Sequence, residues 1–306
     1  MNPHPKIKSF LKKSYLVIGF FIFIWIIRAI DFNKLKDSLY AINYFYYILA
    51  ATIYLPIHFL KSYRWKKIMD EQKIFYSAKN AFLMYGSSAL LGLITPGRVG
   101  DFSKINYLRK DNYSIGRALL GNILDKIFDV IFIVLFLSLS LAFMPFMPNF
   151  SLNTSMVEKW SWVGLVFLAV LIFLYFKKKK WLYIFLTEIW RDIKQFKLVN
   201  LFYIFFITAA AWFFYFLMIY LIAYSAHITQ EVGFLYFSFG AALSLLAGLL
   251  PITFLGVGTR DAVFVFLLLP LGVPREMIIL FSLLIMFNYI SFFAICFYCW
   301  LKKPII

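Results

Sequence analysis

The stretch Leu93–Asp101, LITPGRVGD, interrupts a sequence that otherwise has the composition of a membrane protein. It places a proline, two glycines, an arginine and an aspartate between two apolar segments. The chain has 306 residues, of which 63% are hydrophobic and 22% aromatic, whereas soluble domains are about 45–50% apolar. This composition predicts an all-α protein that crosses the membrane several times, and the polar stretch requires a separate explanation.

Six apolar runs each approach the length that crosses about 30 Å of hydrocarbon. They are Tyr15–Ile30, Ile42–Leu60, Asn122–Phe143, Trp160–Phe176, Leu201–Tyr224 and Met277–Leu301. The net charge of +17 comes largely from lysines and arginines beside these runs, which indicates cytoplasmic loops rather than nucleic-acid binding. We therefore predict a single transmembrane domain over residues 1–306 in the plasma membrane, with both termini in the cytoplasm.

The run Ala81–Ile94 is short for a span, and basic residues flank it on both sides. A re-entrant hairpin that enters from the cytoplasm and returns satisfies both observations, with LITPGRVGD as its turn. A second interrupted segment begins at Phe234, breaks at Pro251 and continues as LGVGTRD. The two breaks match in residue type: Pro96, Gly97, Arg98, Gly100 and Asp101 in the first, and Pro251, Gly256, Gly258, Arg260 and Asp261 in the second.

Counting the crossings predicts that a span–hairpin–span unit occurs twice with opposite orientation, over residues 42–143 and 201–301. Paired broken helices in an inverted repeat are typical of a transport site between the halves. Helix starts and arginines at such breaks favour an anion such as a phosphate headgroup, so the ten matched residues are the candidate substrate site. Arg98 and Arg260 could also pair with Asp101 and Asp261 to hold the hairpins together, and the two roles are compatible.

Asp125 and Asp129 lie one helical turn apart, with Asn122 on the same face. We expect the two carboxylates either to form salt bridges or to couple protons or cations to transport. The salt-bridge partners considered are Lys126, Arg64 and Arg117. We also expect Arg64 and Trp65 to anchor the chain at the membrane surface, and the phenylalanine and tyrosine stripes to face lipid.

Four motifs, in this order, resemble the flippase-like transmembrane region of lysylphosphatidylglycerol synthases and its stand-alone relatives. They are YRWKKIM (Tyr63–Met69), LLGLITPGRVGDFSKINYLRK (Leu90–Lys110), NILDKIFDV (Asn122–Val130) and LPITFLGVGTRDAVF (Leu250–Phe264). The chain departs from the family at Asp101 and Asp261, where glutamate is more common, and at Leu255, where a glycine usually precedes Gly256. The resemblance implies the lipid-translocating part alone, without the soluble aminoacyl-transferase domain, and hence no enzymatic activity and no cofactor.

Three hypotheses follow for the function. The first is a flippase-like protein that translocates an anionic lipid headgroup, with membrane lipids as its partners. The second is an integral-membrane transferase that modifies a lipid, although the sequence has no G-x-S-x-G, Walker or H-E-x-x-H motif. The third is a scaffold or accessory subunit for a separately encoded glycosyl- or aminoacyl-transferase. The sequence gives neither the lipid nor the oligomeric state.

Overall fold

The computed structural model describes residues 39–143, 187, 196–229, 232–248 and 258–305. Within these ranges every regular element is helical and there is no strand. The predicted spans Tyr15–Ile30 and Trp160–Phe176 lie outside the described residues, as do Pro251 and Gly256 of the second break. The all-α prediction is therefore confirmed for the part of the chain that carries most of the candidate site.

The helices follow one another along the chain with short connections. They are α1 (Tyr44–Thr52), α2 (Tyr54–Glu71), α3 (Ala78–Ile94), a 3₁₀ helix (Pro96–Lys104), α4 (Ile105–Lys110), α5 (Ile115–Phe143), α6 (Leu198–Ser225), α7 (Phe234–Gly248), α8 (Thr259–Leu268), a 3₁₀ turn (Leu269–Leu271) and α9 (Arg275–Lys302). Side chains cap two of the helix starts: Asn43 accepts a hydrogen bond from the Phe45 amide, and Ser77 accepts one from the Asn80 amide. These caps satisfy amides that have no partner within the helix.

The predicted span Ile42–Leu60 is divided between two helices, which corrects the sequence prediction. The helix α1 ends at Thr52 because the ring of Pro56 would meet the Thr52 carbonyl in a continuous helix. The next helix, α2, then continues to Glu71 and includes KSYRWKK (Lys61–Lys67), one of the basic stretches beside the apolar runs that were predicted as cytoplasmic loops. Lysine and arginine are strong helix formers and the stretch has neither glycine nor proline, so no residue in it ends the helix.

Among the described helices, two are long and apolar enough to cross a membrane: Leu198–Ser225 and Arg275–Lys302, with mean hydropathies of 2.1 and 2.4. Each has 28 residues, which correspond to a rise of about 42 Å. Large apolar side chains such as Phe206 on α6 and Ile290 on α9 are exposed on the outer face. A protein surface of this kind suits contact with lipid.

The first interrupted segment folds back on itself. The 3₁₀ helix packs directly on α3, and a Cβ on Gly100 would lie 2.2 Å from the Leu91 carbonyl carbon. At the base of the segment, the Tyr76 hydroxyl donates to the Asp111 carboxylate at 2.6 Å. Burial and this carboxylate raise the pKa of Tyr76 above its usual value, so the hydroxyl remains protonated and keeps donating. This hydrogen bond joins the residues just before α3 to those just after α4, so the segment ends close to where it began.

The second interrupted segment has the same form. A Cβ on Gly240 of α7 would lie 3.0 Å from the side chains of Phe264 and Leu267 on α8, which shows how closely these helices pack. The Tyr236 hydroxyl donates to the Leu267 carbonyl at 2.8 Å and joins the start of α7 to the end of α8. The fold therefore contains two fold-back pairs, and their inverted orientation in the membrane stays a prediction.

A polar layer separates two apolar clusters in the protein interior. One cluster contains Ile57, Ile133 and Trp212, and the other contains Ile68, Leu124 and Ile204. Each of α2, α5 and α6 passes from one cluster to the other. Between the clusters, these helices carry Arg64, Asp125, Asp129 and Thr208. The same three helices that build the core therefore also position its charged groups.

Candidate functional site

Arg64 is the centre of the polar layer, and none of its surface is exposed. Its Nε donates to Asp125 Oδ1 at 2.9 Å, and its Nη1 donates to Asp129 Oδ1 at 2.8 Å. Nη1 and Nη2 also donate to the Thr208 hydroxyl and to the Asp125 carbonyl. Among the considered partners of the two carboxylates, Arg64 is therefore the one that the structure selects. The prediction that Arg64 anchors the chain at the membrane surface is wrong, because a completely buried side chain cannot contact lipid headgroups.

Asp129 is shared with two further groups at the edge of the polar layer. Lys61 Nζ lies 3.6 Å from Asp129 Oδ1, and Trp212 Nε1 donates to the same oxygen at 3.0 Å. Lys61 Nζ is also 4.2 Å from the centre of the Trp212 ring, a distance at which a cation–π contact stabilises the ammonium group. Neither Lys61 nor Trp212 was singled out by the sequence.

Asn122 and Lys104 complete the inner side of the layer. Trp65 Nε1 donates to Asn122 Oδ1 at 2.8 Å, so Trp65 is held inside the protein rather than at the lipid surface. Lys104 Nζ lies 3.5 Å from Asp125 Oδ2 and 4.3 Å from the centre of the Tyr85 ring. Sequence reasoning missed Lys104 as a site residue, because a lysine beside a predicted turn is normally exposed.

The first break contributes Asp101 and Arg98. Asp101 is buried, and its Oδ2 accepts from Lys126 Nζ at 2.5 Å and lies 3.7 Å from Arg98 Nε. Arg98 has a positive φ of 56°, a conformation that is uncommon for a residue with a side chain. The predicted Arg98–Asp101 pair therefore exists, and Lys126 joins it instead of pairing with Asp125 or Asp129.

The second break contributes Gly258, Arg260 and Asp261. Gly258 has a φ of 92°, which glycine adopts without steric cost, and its amide donates to Asp261 Oδ2 at 2.9 Å. Arg260 donates through Nε and Nη2 to Asp261 Oδ1 at 3.1 and 2.9 Å, and Nη2 also donates to the Ser282 carbonyl. Its Nη1 is buried and has no hydrogen-bond partner among the described residues.

Three tyrosines connect the two breaks. Tyr54, Tyr215 and Tyr289 each lie within electrostatic range of both guanidinium groups, those of Arg98 and Arg260. The rings of Tyr54 and Tyr289 are 6.2 Å apart, and the buried Tyr54 hydroxyl has no partner in the described part of the chain. The expectation that the aromatic stripes face lipid is wrong at Tyr54, because this side chain is buried in the protein interior.

Of the ten residues predicted for the substrate site, the structure places Arg98, Gly100, Asp101, Gly258, Arg260 and Asp261 with their contacts. Pro96 and Gly97 lie at the start of the 3₁₀ helix.

Within the described ranges, no group of three or more His, Cys, Asp or Glu side chains is placed to hold a metal ion. The arrangement presents arginine nitrogens and tyrosine hydroxyls, which are groups that bind an oxyanion.

This fold, with its long apolar helices and an ionic layer in its interior, defines a helical membrane protein. The family model for the lysylphosphatidylglycerol synthase TM region matches residues 14–296. The chain therefore belongs to this family, as its motifs indicated. No curated protein and no solved structure matches the chain.

Proposed function

We propose that this protein translocates an anionic lipid headgroup between the two leaflets of the membrane. The observation that carries the proposal is that Arg98 and Arg260, which belong to different fold-back pairs, lie within electrostatic range of the same three tyrosines. Two arginines that share such an environment in a membrane protein favour a negatively charged ligand.

The partners of Arg260 support a ligand at this place. The guanidinium group uses Nε and Nη2 on Asp261 and Ser282 and leaves the buried Nη1 without a partner among the described residues. A buried donor without a partner is costly. A phosphate oxygen would satisfy Nη1 while the acyl chains of the lipid stay in the membrane.

The partners of the carboxylates favour transport over group transfer. A lipid-modifying transferase needs a nucleophile or a base near the arginines. Asp101, Asp125 and Asp261 are the acids nearest to the two breaks, and each already accepts a hydrogen bond from a cationic side chain. Carboxylates held in this way orient the cations. In the proposed mechanism they keep the arginines in place while one fold-back pair rocks against the other.

The test is transport by the purified full-length chain in liposomes that contain a headgroup-labelled anionic phospholipid. We expect the wild type to accelerate exchange of the label between leaflets relative to empty liposomes, and Arg260→Gln to abolish the acceleration. Arg275→Gln is the matched control, because it removes one exposed arginine at the start of α9. Transport by folded Arg260→Gln at the wild-type rate would refute the assignment of the site, and no acceleration by the wild type would refute the function.

A further inference from the structure

The charged side chains of the polar layer and the first break do not balance. Ion pairs of 4 Å or less join five cationic and three anionic side chains. The cations are Lys61, Arg64, Arg98, Lys104 and Lys126, and the anions are Asp101, Asp125 and Asp129. We call these eight residues the ionic network. In their ordinary charge states they leave two positive charges without a carboxylate among the described residues.

The two parts of the ionic network each have one cation in excess. In the first part, Asp125 and Asp129 serve three cations; in the second, Asp101 alone serves Arg98 and Lys126. The parts are close enough for Lys126 to interact electrostatically with Asp129 and Lys104. An excess of two charges in one connected network is unfavourable where water is scarce, so the network is suited to a ligand that supplies two negative charges.

The excess lies on the accessible side of the network. Arg64, Asp125 and Lys104 are almost completely buried, whereas the side chains of Arg98, Lys126 and Lys61 are 54%, 34% and 20% exposed. A ligand that approaches this side therefore meets cations that share their carboxylates with other cations. The buried members hold one another in place.

Asp101 meets both of its cations with the same carboxylate oxygen. Its Oδ2 carries both contacts, while its buried Oδ1 has no partner in the described part of the chain. Oδ1 lies over Gly92 of α3, where an added Cβ would be 1.9 Å from this oxygen. Asp101 thus holds Lys126 by a hydrogen bond and Arg98 by a longer ion pair through the same oxygen, and a stronger anion can take over one of the two cations.

We infer that the headgroup bound by this protein carries two negative charges, as a lipid phosphate monoester or diphosphate does, and that Lys126 with Arg98 and Lys61 binds it. This inference rests on the proposed function and narrows its substrate class. A phosphodiester headgroup such as that of phosphatidylglycerol supplies one negative charge and leaves the other cation in excess. Lys126 is then the residue that distinguishes the two classes, because Asp101, its one anionic partner within ion-pair distance among the described residues, is shared with Arg98.

The inference is tested by competition on the full-length chain in nanodiscs of neutral lipid. A fluorescent phosphatidic acid is displaced by unlabelled phosphatidic acid, which has about 1.5–2 negative charges at pH 7, or by phosphatidylglycerol with the same acyl chains. For the wild type we expect phosphatidic acid to compete at concentrations about tenfold lower, the scale of one additional charge contact at a partly exposed site. Lys126→Gln should reduce this ratio to about threefold or less, and Lys126→Arg should restore it.

Lys66→Gln is the matched control, because Lys66 is also a partly exposed lysine on a long helix, here α2, but has its own carboxylate, Asp70, at 2.6 Å. The ratio should stay at the wild-type value in this variant. Equal competition by the two lipids, or a ratio that Lys126→Gln leaves unchanged, would overturn the inference. If the two lipids compete equally but the wild type accelerates phosphatidylglycerol exchange in liposomes, the inference fails and the proposed function stands. If neither lipid binds or moves, the proposed function itself fails.

Discussion

Asp125→Asn should destabilise the protein more than any exposed substitution, because it removes one charge from a fully buried ion pair. The side chain is nearly isosteric with aspartate, and its amide oxygen can still accept from Arg64 Nε. What changes is the charge opposite Arg64, which is 2.8 Å away, and opposite Lys104, which is 3.5 Å away. The variant therefore isolates the electrostatic contribution from packing.

The magnitude follows from the burial of both partners. Removing one member of a buried ion pair typically costs about 3–5 kcal/mol, because the other charge stays in the interior. Arg64 retains Asp129 and the Thr208 hydroxyl, which favours the lower end of this range. The control pair Lys66–Asp70 lies nearer the surface, four residues apart on one helix. Pairs of this kind contribute about 0.3–0.5 kcal/mol.

The assay is thermal unfolding of the purified variants in the same detergent, followed by the fraction that remains monodisperse after heating. Asp125→Asn should unfold at a temperature well below that of the wild type, while Lys66→Gln should unfold close to it. Arg64→Met combined with Asp125→Leu should lose less stability than the sum of the two single changes, since neither charge is then left alone. If Asp125→Asn unfolds within the error of Lys66→Gln, the account of the polar layer is wrong.

Two further predictions concern the first fold-back pair. Gly100→Ala should strongly destabilise the protein, because the new Cβ would meet the Leu91 backbone at 2.2 Å and the two segments must separate; Gly116→Ala, with nothing nearer than 3.7 Å, should be neutral or slightly stabilising in the same unfolding assay. Tyr76→Phe removes the hydrogen bond to Asp111, at a cost of about 0.5–1.5 kcal/mol. Hydrogen exchange should then speed up in the connection after α4, and exchange at the wild-type rate there would contradict its role in closing the segment.

The sequence predicted those features that depend on local chemistry. Apolar length marked α6 and α9, and the proline and glycine pattern marked the first break between α3 and the 3₁₀ helix. The pairs Arg98–Asp101 and Arg260–Asp261 could be predicted because their members are three residues and one residue apart. Within such short distances along the chain, few alternative partners are available.

Long-range pairing could not be predicted from local patterns. Arg64 meets Asp125 and Asp129 across more than 60 residues, and the sequence offered several acceptable partners for each. Tyr54 and Lys104 were missed because nothing about them is unusual in the sequence. A tyrosine in an apolar run and a lysine near a turn are both common at a membrane surface. Tyr54 on α2 and Lys104 at the end of the 3₁₀ helix are turned inward only by the packing of the helices against one another.

Photocrosslinking tests most directly the claim that the headgroup passes the tyrosines that lie within electrostatic range of Arg98 and Arg260. Tyr289 and Ile290 are neighbours on α9, but Tyr289 lies within electrostatic range of both arginines whereas Ile290 is 63% exposed on the outer face. A phospholipid with a diazirine in its headgroup should label the peptide at Tyr289, and one with the diazirine at the acyl terminus should label Ile290. Headgroup labelling confined to Ile290 and the outer face would contradict the account.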